Sequence, residues 1–249
     1  MPVWGRKWLI GFSLPAFLCL CALSASATTT NLFRAGVEAY HAGEFAPAAQ
    51  AFREAAAMQP ASGTLQNLGN AEWQLGRIGE AVLAWEQALW LNPFDANARH
   101  NLRFARRATQ LDTPQLHWYE IASSWLPPDW WAWIAGGSLW LVVGLITLPG
   151  ILRWRRATWH QAVAALALGI LLLSIPAHLG VLTRTRLGFV LQKDTPLRLT
   201  PTTEGEAVTR LAAGEPARWL RTRGNFLFIR TNRSAGWIQR EELGLICAR

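Results

Sequence analysis

Residues that could bind a metal or act as acids and bases occur in this sequence, but not at the spacing that such chemistry needs. The five histidines, at positions 41, 100, 117, 160 and 178, are too scattered for the close ligand spacing of a metal site. No Gly-x-Ser-x-Gly motif, glycine-rich phosphate loop or catalytic carboxylate pair is present, and Glu241-Glu242 fits a solvated pair. The sequence therefore predicts a protein that is not an enzyme, with no catalytic residue, metal or cofactor.

The composition instead indicates that part of the chain lies in lipid. Of 249 residues, 51% are hydrophobic and only 16% are charged. Tryptophan, which favours the membrane–water interface, occurs 15 times and clusters beside the apolar runs, at positions 118, 125, 130, 131, 133, 140, 154 and 159. The net charge of +8 comes partly from arginines that flank apolar segments. Membrane lipid is therefore an expected partner and nucleic acid is not.

Residues 1–27 have the pattern of a secretory signal peptide. Arg6 and Lys7 precede an apolar run, and Ala25-Ser26-Ala27 offers small residues for cleavage after Ala27. An uncleaved anchor helix is the alternative, so cleavage itself stays open. If the segment is removed, Cys247 is the one remaining cysteine and no intramolecular disulfide can form.

Two later segments, residues 130–152 and 159–182, contain no charged residue. The first would reach about 34 Å as a helix, enough to cross a bilayer. A buried soluble hairpin is the alternative. Residues 153–158 between the two segments contain three arginines, at positions 153, 155 and 156, and the linker 113–129 contains no Lys or Arg. This bias predicts a bacterial inner-membrane protein with a cytoplasmic loop and both large ends in the periplasm.

Residues 28–112 contain an internal repeat with a period of 33 residues. Seven positions match in type between the first copy, at about 28–60, and the second, at about 61–94: Gly36, Gly43, Phe45, Ala48, Phe52, Ala55 and Pro60 correspond to Gly69, Gly76, Ile78, Ala81, Trp85, Ala88 and Pro93. Small residues allow two helices to approach closely, and large residues fill the space between them. The pattern resembles the tetratricopeptide (TPR) repeat, with a cap helix at 96–110.

Resemblance to TPR proteins implies a groove formed by the first helix of each pair. The matching positions here are rich in amides, which can pair with a guest backbone as donor and acceptor. A solvated or capping role is the alternative for these residues. TPR proteins that bind C-terminal carboxylates use Lys or Arg in the last helix, where this chain has asparagine. The positions that form the predicted protein-binding groove are Tyr40, Asn67, Asn70, Trp73, Asn97 and Asn101.

Residues 187–249 change to a pattern of short strands separated by turn residues, which predicts a small all-β barrel. The five predicted strands are 189–191, 197–199, 217–220, 226–230 and 235–238. The run from Leu197 to Pro201 and the ending Gly236-Trp237-Ile238 resemble the bacterial SH3-like domain. Domains of that kind can hold peptidoglycan or peptides, and Trp219, Phe226 and Trp237 are the predicted ligand face of the barrel.

The fold class is thus a multidomain membrane protein with all-α TPR hairpins, two transmembrane helices and a small all-β SH3-like barrel. This order, with Asn101-Leu102-x-Phe104-Ala105-Arg106 after the repeats, resembles the BatE-like proteins of the bacterial aerotolerance cluster. The resemblance implies a non-enzymatic scaffold that acts beside membrane-anchored von Willebrand A-type proteins and a cytoplasmic MoxR-type ATPase. Two hypotheses stay open beside it: a peptidoglycan- or peptide-binding envelope module, and a regulator of a catalytic envelope partner.

Overall fold

The structure, a computed structural model, describes residues 28–151 and 158–247. The predicted signal peptide, residues 1–27, lies outside the described residues, as does all of the predicted cytoplasmic loop except residue 158. Five helices form the N-terminal part, in the region where the repeat pattern predicts helices. They are α1 (28–41), α2 (Phe45–Met58), α3 (Ser62–Gln74), α4 (Ile78–Leu91) and α5 (Ala96–Thr109).

The matched positions of the 33-residue repeat have equivalent surroundings. Gly36 of α1 packs against Phe52 of α2, and a Cβ atom on Gly36 would lie 2.7 Å from that ring. Gly69 of α3 packs in the same way against Trp85 of α4, where the corresponding distance is 2.5 Å. Each glycine thus provides the space that the aromatic ring of the next helix fills. The four matched alanines are fully buried between the helices, at positions 48, 55, 81 and 88.

Helix α5 caps this stack and has clear end signals. The Asp95 side chain accepts a hydrogen bond of 3.0 Å from the Ala98 backbone N–H, as an N-cap does. The helix ends at Gln110, which has a left-handed conformation with φ of 55°. The following segment, 113–129, is a linker by sequence, and in the structure it contains the short helix α6 (Trp118–Ser123).

Two long apolar helices follow, α7 (Pro128–Ile151) and α8 (Thr158–Arg184), and they pack against each other. Both are long and apolar enough to cross a membrane, with mean hydropathies of 1.7 and 2.2. Few of their apolar residues are buried inside the protein. A soluble hairpin would bury such residues, so their exposure favours lipid contact.

The C-terminal part is one antiparallel sheet of seven strands. They run in the order β3-β2-β6-β5-β4-β1-β7. The sequence predicted five strands, and the structure adds β3, which is polar and mostly exposed, and β7, which has three residues including a glycine. Neither carries the alternation that marks a half-buried strand. The strands are β1 (Leu187–Val190), β2 (Thr195–Arg198), β3 (Ala207–Leu211), β4 (Pro216–Arg223), β5 (Phe226–Arg230), β6 (Ala235–Gln239) and β7 (Leu243–Leu245).

All seven strands contribute to one apolar core, so the sheet curls around it: the buried residues are Val190, Leu197, Leu211, Ala217, Leu227, Ile229, Ile238 and Leu243. Three further residues of this part, Leu187, Phe189 and Ile246, are buried in the core of the helical part instead. The helical part and the sheet therefore share apolar packing.

Helix α4 makes the contact with the sheet. Gly79 packs against the backbone carbonyls of Val190 and Leu191, and a Cβ atom at Gly79 would overlap them. Two turns further on, Gln87 Nε2 donates a hydrogen bond of 3.0 Å to the carbonyl oxygen of Leu245. Gly79 and Gln87 lie eight residues apart, which places them on one face of the helix. Helix α4 therefore covers the edge of the sheet that β1 and β7 form.

Candidate functional site

The amides of α3 and α5 that the sequence assigned to a groove lie together. Asn70 Oδ1 accepts hydrogen bonds from Asn101 Nδ2 at 2.7 Å and from Trp85 Nε1 at 3.1 Å. Nδ2 of Asn70 and Oδ1 of Asn101 take no part in these bonds. The pair is therefore held in place by the indole underneath and still offers one donor and one acceptor.

Two aromatic rings lie beside this amide pair. The Trp73 ring centroid is 6.0 Å from that of the buried Trp85 and 5.8 Å from that of Phe104, which it meets edge to face. Phe104 is 56% exposed, an unusual position for so large an apolar side chain. We call Asn70, Trp73, Asn101 and Phe104 the aromatic–amide face.

Sequence analysis did not assign Phe104 to the groove, although a signal was present. Asn97, Asn101 and Phe104 are spaced i, i+4 and i+7, so they share one face of α5. The other predicted groove residues are more dispersed. Tyr40 is half-buried on α1 and packs against Phe45 at 5.3 Å between ring centroids, Asn67 is half-buried on α3, and Asn97 is exposed.

The predicted ligand face of the barrel is only partly assembled. Phe228 is the register partner of Trp237, and their ring centroids are 5.2 Å apart. Phe226 is two residues before Phe228 and so shares its side of the sheet. Arg221 stacks its guanidinium over the Phe228 ring at 4.9 Å. We call Phe226, Phe228, Trp237 and Arg221 the outer sheet face, of which sequence analysis missed Phe228 and Arg221.

Trp219, the third predicted residue, lies on the opposite side of the sheet. Its register partner is Ile229, which is fully buried, and the Trp219 ring packs against the core of the sheet. Its indole N–H donates to Thr222 Oγ1 at 3.1 Å. Trp219 therefore does not share a surface with Phe226 and Trp237.

A buried ion pair joins α6 to the sheet, and no motif predicted it. Arg218 of β4 donates two hydrogen bonds to the Glu120 carboxylate, at 2.7 and 2.9 Å, and the backbone N–H of His117 donates a third at 2.9 Å. Burial alone would raise the pKa of Glu120, but the bonds from Arg218 and His117 outweigh it and lower the pKa to about 2. Glu120 is therefore a firmly ionised anchor.

A further carboxylate, that of Glu86 of α4, is mostly buried near the end of α8. Glu86 forms an ion pair with Arg106 of α5. Burial raises the pKa of Glu86, although the charges of Arg106 and Arg184 oppose that change. Arg184, the last residue of α8, places its guanidinium over the Trp90 ring at 5.0 Å and donates to Ser123 Oγ at 3.4 Å. One polar junction thus joins the helical part, the linker, the apolar helix α8 and the sheet.

Among residues 28–151 and 158–247, no three His, Cys, Asp or Glu side chains lie close enough together to hold a metal ion. The surfaces that the structure offers are suited to binding: exposed aromatic rings, paired amides and arginines. Comparison with protein-family models, with curated proteins and with solved structures found no match to this chain. Its function must be argued from its own residues.

Proposed function

We propose that this protein is a non-enzymatic, membrane-anchored scaffold of the periplasm that binds partner proteins through its aromatic–amide face. The observation that carries the proposal is the exposed Phe104 ring packed on the half-buried Trp73, beside the Asn70–Asn101 amide pair. Aromatic anchors often dominate the free energy of protein binding, and amides can pair with the backbone of an extended guest.

The position of this face supports the proposal. The aromatic–amide face lies on α3 and α5, whereas α4 is the helix that packs against the sheet. The protein's own packing therefore leaves the aromatic–amide face accessible. Helices α7 and α8, as membrane anchors, would keep this surface close to the bilayer, where other envelope proteins are concentrated.

Sequence resemblance suggests the kind of partner. The 33-residue repeat with its equivalent glycine–aromatic contacts is similar to TPR repeats, and the small curled sheet is similar to SH3-like domains. With the two apolar helices, this order resembles BatE-like proteins. We propose that the partners are membrane-anchored von Willebrand A-type proteins linked to a MoxR-type ATPase, in an aerotolerance-type envelope complex.

The test compares two exposed phenylalanines of similar accessibility. Phe104 is 56% exposed and belongs to the aromatic–amide face, whereas Phe94 is 62% exposed and precedes α5 outside it. Tagged full-length protein would be expressed with the von Willebrand A-type proteins of the same genome, and their co-purification measured. We expect Phe104→Ser to weaken the complex by about 30-fold, the effect of losing a ~2 kcal/mol anchor, and Phe94→Ser to leave it unchanged. Equal retention by both variants would contradict the proposal.

A second function is supported by the outer sheet face. Phe228 and Trp237 meet edge to face with Phe226 on the same side of the sheet, and aromatic rings suit sugar and peptide ligands. In this alternative, the protein is a peptidoglycan- or peptide-binding module. Sedimentation with insoluble peptidoglycan would test it: Phe228→Ser should release the protein, and Val208→Ser, which changes an exposed apolar residue of β3 outside this face, should not.

A further inference from the structure

A cavity of about 290 Å³ lies between α4, α5, the linker before α6 and the end of α8. Its lining is strongly basic: four arginines face one acid, Glu86. The apolar part of the lining includes Leu89, Leu102 and Leu187. The four arginines are Arg99, Arg103, Arg106 and Arg184.

Two separate elements supply these arginines. Arg99, Arg103 and Arg106 are spaced i, i+4 and i+7, so they form one stripe along α5. Arg184 comes from the last residue of the second apolar helix, on the other side of the cavity. The cavity therefore lies at the point where α8 leaves the membrane.

Among the described residues, Arg106 is the one arginine of the cavity lining that forms an ion pair. Glu86 pairs with Arg106, and the nearby Glu120 is occupied by Arg218. Arg99 donates to the carbonyl oxygen of Pro93, which carries no formal charge. Arg103 makes no hydrogen bond or ion pair within the described chain. Arg99 and Arg103 thus share the cavity without a carboxylate of their own, and Arg184 lies within electrostatic reach of Glu86 and Glu120 but forms no ion pair with either in the described chain.

Arg184 adds a specific indication of a missing acceptor. Its Nε atom is buried and has no hydrogen-bond partner within the described chain. A buried donor without a partner costs about 1–3 kcal/mol, so an acceptor at this position would be favourable. A phosphate group suits the site because its oxygens accept paired hydrogen bonds from the planar arginine fork.

We propose that this cavity binds a phosphate group, supplied by the headgroup of an anionic phospholipid. The membrane is the source that the geometry favours, because Arg184 ends a segment apolar enough to span the bilayer and phospholipid phosphates lie at that depth. The apolar leucines of the lining fit the acyl chains that adjoin such a headgroup. This site is distinct from the aromatic–amide face, so it stands or fails independently of the scaffold function.

The experiment uses the full-length protein in nanodiscs and compares neighbouring arginines of α5. Binding of phosphatidylglycerol in a phosphatidylcholine background would be measured by native mass spectrometry. We expect Arg103→Gln to weaken phosphatidylglycerol binding about tenfold, the effect of losing one charge-assisted hydrogen bond. Arg107→Gln removes the same charge four residues further along α5, outside the cavity lining, and should leave binding unchanged.

A second arm identifies the source of the phosphate. Inorganic phosphate would be titrated onto the protein in pure phosphatidylcholine nanodiscs. Selective phosphatidylglycerol binding that depends on Arg103 and not on Arg107 supports the proposal in full. Arg103-dependent binding of inorganic phosphate without lipid selectivity overturns the lipid source and keeps the phosphate site. Equal effects of the two variants, or no binding in either arm, would overturn the site itself.

Discussion

At the scale of single residues, Glu120 and Arg218 have the most consequence for stability. They lie 98 positions apart in sequence and join the linker helix α6 to strand β4 through two hydrogen bonds. Glu120 is fully buried and the Arg218 side chain is 22% exposed. Removing one partner of such a pair leaves a poorly solvated charge, which is more costly than never having formed the pair.

We therefore expect Glu120→Gln to destabilise the junction between α6 and the sheet by about 3 kcal/mol, because the Arg218 charge stays in place without its carboxylate. The measurement is the thermal unfolding midpoint of the full-length protein in detergent. Glu241→Gln serves as the matched control, because it makes the same change at an exposed carboxylate in the C-terminal part of the chain. A midpoint for Glu120→Gln equal to that of the control would show that the pair contributes little.

The lowered pKa of Glu120 also predicts a pH dependence. Because the folded protein holds this pKa at about 2, below the ordinary value of 4.5, the stabilisation is complete above about pH 5 and is lost as the pH falls toward 2. The raised pKa of Glu86 gives stability the opposite dependence on pH. Glu86 is present in both the wild type and Glu120→Gln, so it does not change the difference between them. The stability difference between wild type and Glu120→Gln should therefore shrink on acidification. A difference that stays constant from pH 6 to about 2 would refute this account.

Sequence reasoning found part of the candidate site and missed the rest for a physical reason. Asn70 and Asn101 could be predicted because the repeat pattern places both on first helices, although they lie 31 positions apart and are not equivalent within the 33-residue period. Phe104 shares one face of α5 with Asn97 and Asn101, and this helical spacing is the signal that could have assigned it. The Glu120–Arg218 pair depends on how α6 packs against the sheet, and no local pattern around either residue records that arrangement.

At the scale of elements, Gly79 sets how closely α4 approaches the sheet. It is the second residue of α4 and lies against the carbonyls of Val190 and Leu191. Gly63 is the second residue of α3, and a Cβ atom there would meet nothing within 4 Å. The two glycines thus occupy the same helical position in different surroundings, which makes them a matched pair.

We expect Gly79→Ala to lower the thermal unfolding midpoint and to increase hydrogen exchange in β1 and β7, because the added methyl group forces α4 away from the sheet. Gly63→Ala should leave the midpoint unchanged or raise it slightly, since alanine favours helix by up to about 1 kcal/mol. Hydrogen exchange with mass spectrometry would localise the change. If both variants behave alike, the close approach at Gly79 does not determine the packing.

The elements differ in how well their sequence specifies them. The long apolar helices and the repeat helices carry strong periodic or compositional signals, and they appear close to their predicted positions. Strand β3 and helix α6 carry no such signal, since β3 is mostly exposed and α6 has only six residues. Tertiary contacts decide both: β3 pairs with β2, and α6 packs against Gly180 of α8.

At the scale of the whole molecule, the packing constrains membrane topology. Helix α6, directly before α7, contacts the C-terminal end of α8, so the chain enters and leaves the helical hairpin at the same end. The helical part and the sheet share a core there. If α7 and α8 span a membrane, the helical part and the sheet are therefore on the same side of it.

We predict that reporter fusions after Gln110 and after the last residue both report export to the periplasm. The arginines at positions 153, 155 and 156 fall between α7 and α8 in the sequence and favour the cytoplasm. A fusion within residues 153–158 should report a cytoplasmic location, as the matched control. Two ends on opposite sides would be incompatible with the shared core, and two cytoplasmic ends would reverse the orientation.

The connection between α8 and β1 is only two residues long, Thr185 and Arg186, and the Arg186 carbonyl accepts a hydrogen bond of 2.8 Å from the Trp219 backbone N–H. A connection this short cannot let α8 rotate independently of β1, as a flexible linker would. A thinner or thicker bilayer changes the tilt of a spanning helix. Here a change in the tilt of α8 would rotate the sheet and the attached helical stack together. Lipid composition would therefore set the angle between the aromatic–amide face and the membrane.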